Sequence, residues 1–281
     1  MKFGDVLYEV NDRVATITLN RPERFNAISE TMPGDIAAAF EYADGDNSVH
    51  VVVLTGAGRG FCGGYDLQTY AETAGENPAI QDMPWDPMID FKFMSRCTQQ
   101  FMSIWRCHKP VIARLQGDAV AAGSDIALLS DIIVMNEQAR IGYPPSRVWG
   151  CPTTAMWVYR VGAEKAKQLL FTGDLITGKH AEAIGLVSQA VPAAALDEVV
   201  GQLAERIKGV PKNQLMMMKM MVNQAYENMG LASTQTLATL FDGVARHTPE
   251  GVWFKERAEN VGFRQAIVER DSGEPIPGSK R

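Results

Sequence analysis

The 281-residue sequence lacks the marks of several function classes. It has no basic excess: 27 Lys and Arg against 33 Asp and Glu give a formal charge of −6. That speaks against a general nucleic-acid binder, although a local cationic site for an anionic small ligand remains compatible with it. The four cysteines, Cys62, Cys97, Cys107 and Cys151, include no C-x-x-C pair. Neither a metal site nor a disulfide framework is expected, and free thiols in a reducing compartment are. No apolar run reaches the length of a membrane span, and the opening "MKFGDVLYEV" has no signal-peptide core. The expectation is a soluble cytoplasmic protein with no membrane partner. No internal repeat is present. What the chain does have is ordinary globular usage, 46% hydrophobic and 21% charged, at a length that supports a full-size core.

"VLYEV" and "RVATITLN" are short β-rich runs around Asn11-Asp12, a hairpin-like opening. "SETMPGDIAAAFEYAD" has helical spacing, and "VHVVVLTG" suits a strand buried on both faces. A helical stretch from about Asp86 to Arg106 leads to a second buried run, "KPVIARLQG", then a short helix "AAGSDIALLS" and a third buried run "DIIVMN". Strands alternating with helices predict an α/β fold with mainly parallel pairing. From Leu196 the pattern turns wholly helical, through "AERIKGV", "NQLMMMKMMVNQAYENM" and "TPEGVWFKERAENVGFRQAIVER". The expected division is a core over 1–195, a helical region over 196–270 and a flexible tail over 271–281. Met216, Met217, Met218, Met220 and Met221 cover too much of a helix circumference for one face. They predict adaptable packing in a core or a subunit interface rather than metal ligation.

"GRGFCG" (Gly58, Gly60, Gly63) fits G-x-G-x-x-G, but no strand with a ribose-binding acid follows at the right distance, so a dinucleotide is not expected. A glycine-rich turn after a buried strand has another use, since bare backbone N–H groups can face a ligand oxygen. A second such turn, "QGDAVAAGSD", follows "PVIARL". Two turns at two strand ends can aim two N–H donors at one point, an oxyanion hole. Spacing alone leaves open whether these are that or simple tight connections.

The stretches "NRPERFNAI", "VVVLTGAGRGFCGGYDL", "KPVIARLQGDAVAAGSDIALLSDIIV", "ARIGYP" and "TGDLITGKHAEAIGLVSQAVP" together resemble the crotonase (enoyl-CoA hydratase/isomerase) superfamily, in family order over roughly residues 5–192. The resemblance implies a crotonase-like spiral of ββα units with a C-terminal helical trimerisation region, giving homotrimers or dimers of trimers. It implies an acyl-CoA substrate, coenzyme A entering only as part of that substrate and no bound cofactor. It places the carbonyl-binding backbone N–H groups at Tyr65 and Ala122. Tyr65 stands where a small residue is commoner, which keeps the N–H and narrows the acyl pocket. The coenzyme A portion falls near Arg24 and Phe25, with Cys62, Gly64, Asp66 and Leu67 on the other wall. For Arg24 a phosphate contact and a solvated loop arginine both stay open.

Hydratases of this family handle one water with two glutamates, one acting as base and one as acid. The first falls on Asp125, one methylene shorter, for which a catalytic role and the binding of nearby N–H groups at a helix start both remain. The second falls in "ARIGYPPSRVWGCP", which aligns without a gap from Ala139 to Pro152 and puts Pro145 at the glutamate, or Ser146 if shifted by one. Neither is an acid, and none stands near in that stretch. The family's G-x-G-G-T turn is replaced by "TTAMWVYRVG". An enolate-forming enzyme with a non-standard acid/base set is the first expectation. The alternatives are a hydrolase of a bulky cyclic acyl-CoA, with "MPWDPMIDFKF" shaping the pocket and Asp82, Asp86 or Asp90 as acid, or a non-catalytic acyl-CoA-binding protein.

Overall fold

The computed structural model describes residues 1–74, 81 and 84–276. Strands β1 (Lys2–Phe3), β2 (Val6–Asn11) and β3 (Val14–Leu19) pair antiparallel. The β2–β3 turn is Asp12-Arg13, one residue later than the sequence suggested. Both residues have positive φ, 41° and 67°, as a two-residue hairpin of the right twist requires. Helix α1 (Met32–Gly45) crosses to β4 (Val51–Gly56), parallel to β3 with Val51 opposite Val14. The Asp86–Arg106 stretch is two helices, α2 (Pro87–Phe101) and α3 (Ser103–Arg106), parted at Met102. Asp86 starts α2 by accepting the Met88 N–H at 2.9 Å, with Pro87 in the first helical position.

Strand β5 (Val111–Leu115) continues the sheet. A short β6 (Ala119–Val120), helix α4 (Ala122–Leu128), strand β7 (Ile132–Asn136) and β8 (Arg140–Gly142) follow. Helix α5 (Met156–Thr172), β9 (Ile176–Thr177), α6 (Gly178–Ala183) and β10 (Gln189–Val191) complete the strand-bearing part. Seven strands form one sheet in the order β1-β2-β3-β4-β5-β7-β10, parallel from β3 onward, and β6-β8-β9 form a second. The mixed α/β architecture expected from the alternation is therefore present.

Helices α7 (Leu196–Lys208), α8 (Lys212–Asn228), α9 (Leu231–His247), α10 (Pro249–Val261) and α11 (Phe263–Arg270) end the described chain. The central strands are apolar without alternation because both faces are covered. Val51, Val53, Ile112 and Val134 meet Leu196, Val200 and Ala204 of α7, while Val52, Leu54, Ala113 and Ile133 face the main core. Burying each such Val or Leu contributes about 1.5–3 kcal/mol.

Helix α8 behaves differently. It is tied down by buried Lys219, paired with Asp131 at 2.8 Å and donating to the Lys109 carbonyl at 3.1 Å. Met217, Met218, Met220 and Met221 stay exposed, as do Leu237, Leu240, Phe241 and Val244 of α9. The methionines are thus not core residues, which leaves the interface half of the expectation. Helices α9 to α11 are more than an appendage, since they close over the core: Lys255 donates to the Thr73 carbonyl at 2.8 Å, and the Phe263 N–H to Glu72 at 3.1 Å. Residues 271–276 of the expected tail are described, with Asp271 paired to Arg147 at 3.0 Å; 277–281 lie outside the described residues. Among the described residues no helix is long and apolar enough to cross a membrane.

Candidate active site

The two glycine-rich turns lie side by side. Asn26, from "NRPERFNAI", explains the shape of the first. It is fully buried at φ 53° and donates from Nδ2 to the carbonyls of Ala57 (2.9 Å), Gly60 (2.9 Å) and Phe61 (3.1 Å). The second turn is zipped to the first by Phe61 N–H to Asp118 O (3.0 Å) and Val120 N–H to Cys62 O (2.9 Å). At the end of each turn one residue has positive φ, Gly64 at 87° and Ala121 at 54°. The two almost touch: a Cβ on Gly64 would lie 2.8 Å from the Ala121 Cβ. Immediately after them come the amides of Tyr65 and Ala122, neither of which has a hydrogen-bond partner among the described residues. A backbone N–H with no partner in the protein is unusual, and one shut away from water costs about 1–3 kcal/mol. Both residues line one cavity, whose empty space, open solvent included, is about 730 Å³.

Asp125 lies in the same wall, in the first turn of α4, 2% exposed. Thr154 Oγ1 donates to its Oδ1 at 2.9 Å. Burial pushes its carboxyl well above the usual carboxylate range, and the Asp242 charge adds to this against the Thr154 bond. Thr154 comes from the "TTAMWVYRVG" stretch, with its carbonyl accepting from Gln235 at 2.9 Å and its neighbour Thr153 accepting from Thr98 at 2.8 Å. The replaced turn thus supplies an orienting hydroxyl, which the sequence comparison by motif did not reveal.

The segment "RIGYPPSRVWG" forms the facing wall. Pro144–Ser146 make one 3-10 turn, Tyr143 donates its hydroxyl to the Cys151 carbonyl at 2.8 Å, and Pro145 borders the cavity. Ser146 turns away, its hydroxyl donating to the Tyr143 carbonyl at 2.8 Å. Of the two positions, Pro145 borders the cavity and Ser146 does not.

Two further charged residues, unforeseen from sequence, face the cavity from α9: Asp242, 4% exposed, and Arg246, 5% exposed. Asp242 Oδ1 accepts the Cys151 N–H at 3.0 Å, and Oδ2 pairs with Arg246. Arg246 also donates to Asp90 of α2 at 2.9 Å. Asp90 accepts in addition from Trp85 at 2.5 Å and Gln81 at 2.6 Å. The i, i+4 charge pair in "FDGVARH" was the available signal, but it reads equally as a solvated helix face. Tyr65, Tyr70, Phe93 and Trp149 give the cavity aromatic sides.

The residues expected at the coenzyme A end divide. Leu67 lines the cavity; Gly64 does not, although its neighbour Gly63 does, and the Gly63 N–H donates to the Phe25 carbonyl at 3.0 Å. Phe25 therefore stands at the rim, 51% exposed beneath the Arg59 guanidinium (5.1 Å). Arg24, 40% exposed, is paired with Gln68 and lies 3.6 Å from Asp66. Asp66 is buried and accepts from Arg21 at 3.1 Å. Cys62 is fully buried with its thiol on the Asn26 carbonyl at 3.1 Å, and burial pushes that thiol up to about 12. Its side chain, like that of Asp66, is engaged in hydrogen bonds within the protein. Of the three alternative acids, Asp86 caps α2, Asp90 is ion-paired behind the wall, and Asp82 lies outside the described residues. The four cysteines are unpaired, and among the described residues no group of three acid, His or Cys side chains could hold a metal.

A model of the enoyl-CoA hydratase/isomerase family matches residues 9–261. A putative enoyl-CoA hydratase of Thermus thermophilus is 32% identical over 238 residues, covering 84% of this chain and 90% of that protein. The crystal structure of an enoyl-CoA hydratase from Mycobacterium smegmatis superposes with a TM-score of 0.90 at 46% identity, over 95% of this chain and 93% of that one. An enoyl-CoA hydratase/isomerase from Xanthobacter autotrophicus gives a TM-score of 0.88 at 30% identity, over 97% and 99%.

Proposed function

The chain belongs to the enoyl-CoA hydratase/isomerase family, and from that premise we propose that it processes an acyl-CoA thioester through an enolate. The observation that carries this is the pair of unpartnered amides, Tyr65 N–H and Ala122 N–H, opening on the cavity that holds Asp125. Two fixed donors stabilise charge developing on a thioester oxygen without reorganising, and removing one typically costs about 10²–10³ in rate. Asp125, biased towards its neutral form by burial, exchanges a proton with the acyl chain at Cα. Thr154 fixes its orientation. The nucleotide end lies over the Arg24, Phe25 and Arg59 rim, where exposed guanidinium groups suit phosphates. No cofactor beyond the coenzyme A of the substrate is required. The aromatic walls offer the acyl group an apolar lining. Copies associate through the exposed apolar faces of α8 and α9, as a homotrimer or a dimer of trimers.

Calorimetry with a saturated acyl-CoA, beside turnover of linear and cyclic enoyl-CoA substrates, tests this directly. Asp125→Asn is expected to lower turnover by about 10²–10⁴ with binding kept. A rate that ignores this substitution would remove Asp125 from the chemistry. A product screen that finds hydrolysis of a cyclic acyl-CoA alone would replace the reaction while keeping the two amides. Tight binding without any turnover would leave a binding protein. Light scattering on the pure protein reads the subunit count.

A further inference from the structure

The wall at Pro145 has no acid of its own, but a carboxylate reaches the same place from α9. Gly150 makes room for it: a Cβ there would lie 3.2 Å from the Pro145 Cβ and 3.3 Å from Asp242 Oδ1. Pro145 and the Asp242 carboxylate therefore flank a single point of the cavity wall. Asp242 is also surplus to the ion pair it joins. Asp90 alone neutralises Arg246, and Asp90 is additionally held by Trp85 and Gln81. Asp90 stays out of the cavity wall, whereas Asp242 forms part of it. A second buried carboxylate on one guanidinium is a poor way to stabilise a fold. The other arginine of the cavity wall, Arg270, is held by Asp271 at 2.8 Å, and His247 stands 3.8 Å from Asp90 rather than beside Asp242. An acid needed only for packing would sit where Asp90 sits.

We propose that Asp242 is the second acid/base carboxylate of this site, taking from α9 the task that the Pro144–Ser146 turn cannot perform in the hydration of an enoyl thioester for which the family is named. This rests on the proposed function above. A water oxygen bonds to Cβ as Asp242 takes one of its protons. The π pair shifts through Cα onto the thioester oxygen, held by Tyr65 N–H and Ala122 N–H. The enolate then collapses, and Cα takes the proton of the Asp125 carboxylic acid. Enoyl thioester plus water gives a 3-hydroxyacyl thioester. The proton gained at Asp242 and the one lost at Asp125 are balanced by exchange with solvent before the next cycle. Arg246 serves as counter-ion to the base.

Asp242→Asn keeps the volume and removes the proton acceptor. Hydration kcat is expected to fall about 10²–10⁴-fold, with KM, saturated acyl-CoA affinity and the melting temperature held. That split marks an interaction made only in the transition state. Unchanged kcat overturns the proposal, and so does a joint loss of kcat, affinity and melting temperature, which would mark a packing role. If the asparagine variant does not fold, Asp242→Ser with added formate decides. Formate-dependent recovery of hydration supports the assignment, and no recovery overturns it. A native protein that binds and isomerises acyl-CoA but never hydrates overturns the role of Asp242 alone. One that neither binds nor converts any acyl-CoA brings down the proposed function itself.

Discussion

Gly64 is the joint on which both candidate donors depend, and replacing it with alanine separates their contribution from everything else. Its φ of 87° costs an L-residue about 1–2 kcal/mol. The new methyl would land 2.8 Å from the Ala121 Cβ and 3.5 Å from the Ala122 nitrogen. Carbon atoms do not approach to 2.8 Å, so the two turns must part, and the Tyr65 and Ala122 amides ride on the residues that move. Disturbing one donor should cost about 10²–10³ in kcat/KM, or roughly 2.7–4 kcal/mol of transition-state stabilisation. Gly185→Ala is the control, with a similar φ of 80° but nothing within 4 Å of its added methyl. Urea unfolding should show similar losses of backbone stability for both variants, with an added clash for Gly64→Ala. Steady-state kinetics on any acyl-CoA the native protein converts should show the rate loss in Gly64→Ala alone. Equal turnover in the two variants would refute the reasoning, because the amides would then have moved without consequence.

Three other outcomes follow from the buried groups. Asp125 has a raised folded-state carboxyl, so the native protein holds a proton that the unfolded chain releases near the usual 3.9. Its contribution is fully present below that value and erodes by about 1.4 kcal/mol per pH unit as pH rises towards the folded value. Asp125→Asn should flatten this decline in urea unfolding curves taken from acid to alkaline pH, and an unchanged slope would contradict it. Arg246→Met leaves Asp90 and Asp242 without their cation, and stability should fall by about 3–5 kcal/mol in denaturant titrations. The Cys62 thiol, up to about 12, and the Cys151 thiol, up to about 11, should resist alkylation in the native protein at pH 8 and react on unfolding. Fast native labelling of Cys62 would show that the first turn opens.

The strands were legible because a parallel strand buried on both faces is apolar over most of its length. "VVVLTG", "VIARL" and "IIVMN" carry aliphatic residues at successive positions, with Arg114, paired with Asp197 at 2.6 Å, their one charged residue. The paired turns were legible as a possibility, since glycine spacing after a strand is a local property. Their convergence was not, because it depends on Asn26 drawing three carbonyls inward and on Ala121, a residue with no composition signal for positive φ. The split of α2 from α3 was missed because apolar spacing runs on through Met102. Asp242 escaped for a different reason. No pattern within α9 says which of its faces meets a loop so distant in sequence, and its exposed side, with Leu237 and Phe241, is as apolar as a core face.

Helix α4 begins at Ala122 after an alanine, a residue whose side chain has nothing to give the first turn, and no side chain caps it. Other helices also start without a side-chain cap, α5 after Ala155 and α7 after Ala195, while Asp86 caps α2 and Thr248 caps α10; of these alanine starts, that of α4 opens on the cavity. On the proposed function the missing N-cap of α4 is the thioester oxygen itself. The ligand would then finish a piece of secondary structure, and hydrogen exchange in the first turn of α4 should slow when an acyl-CoA is bound.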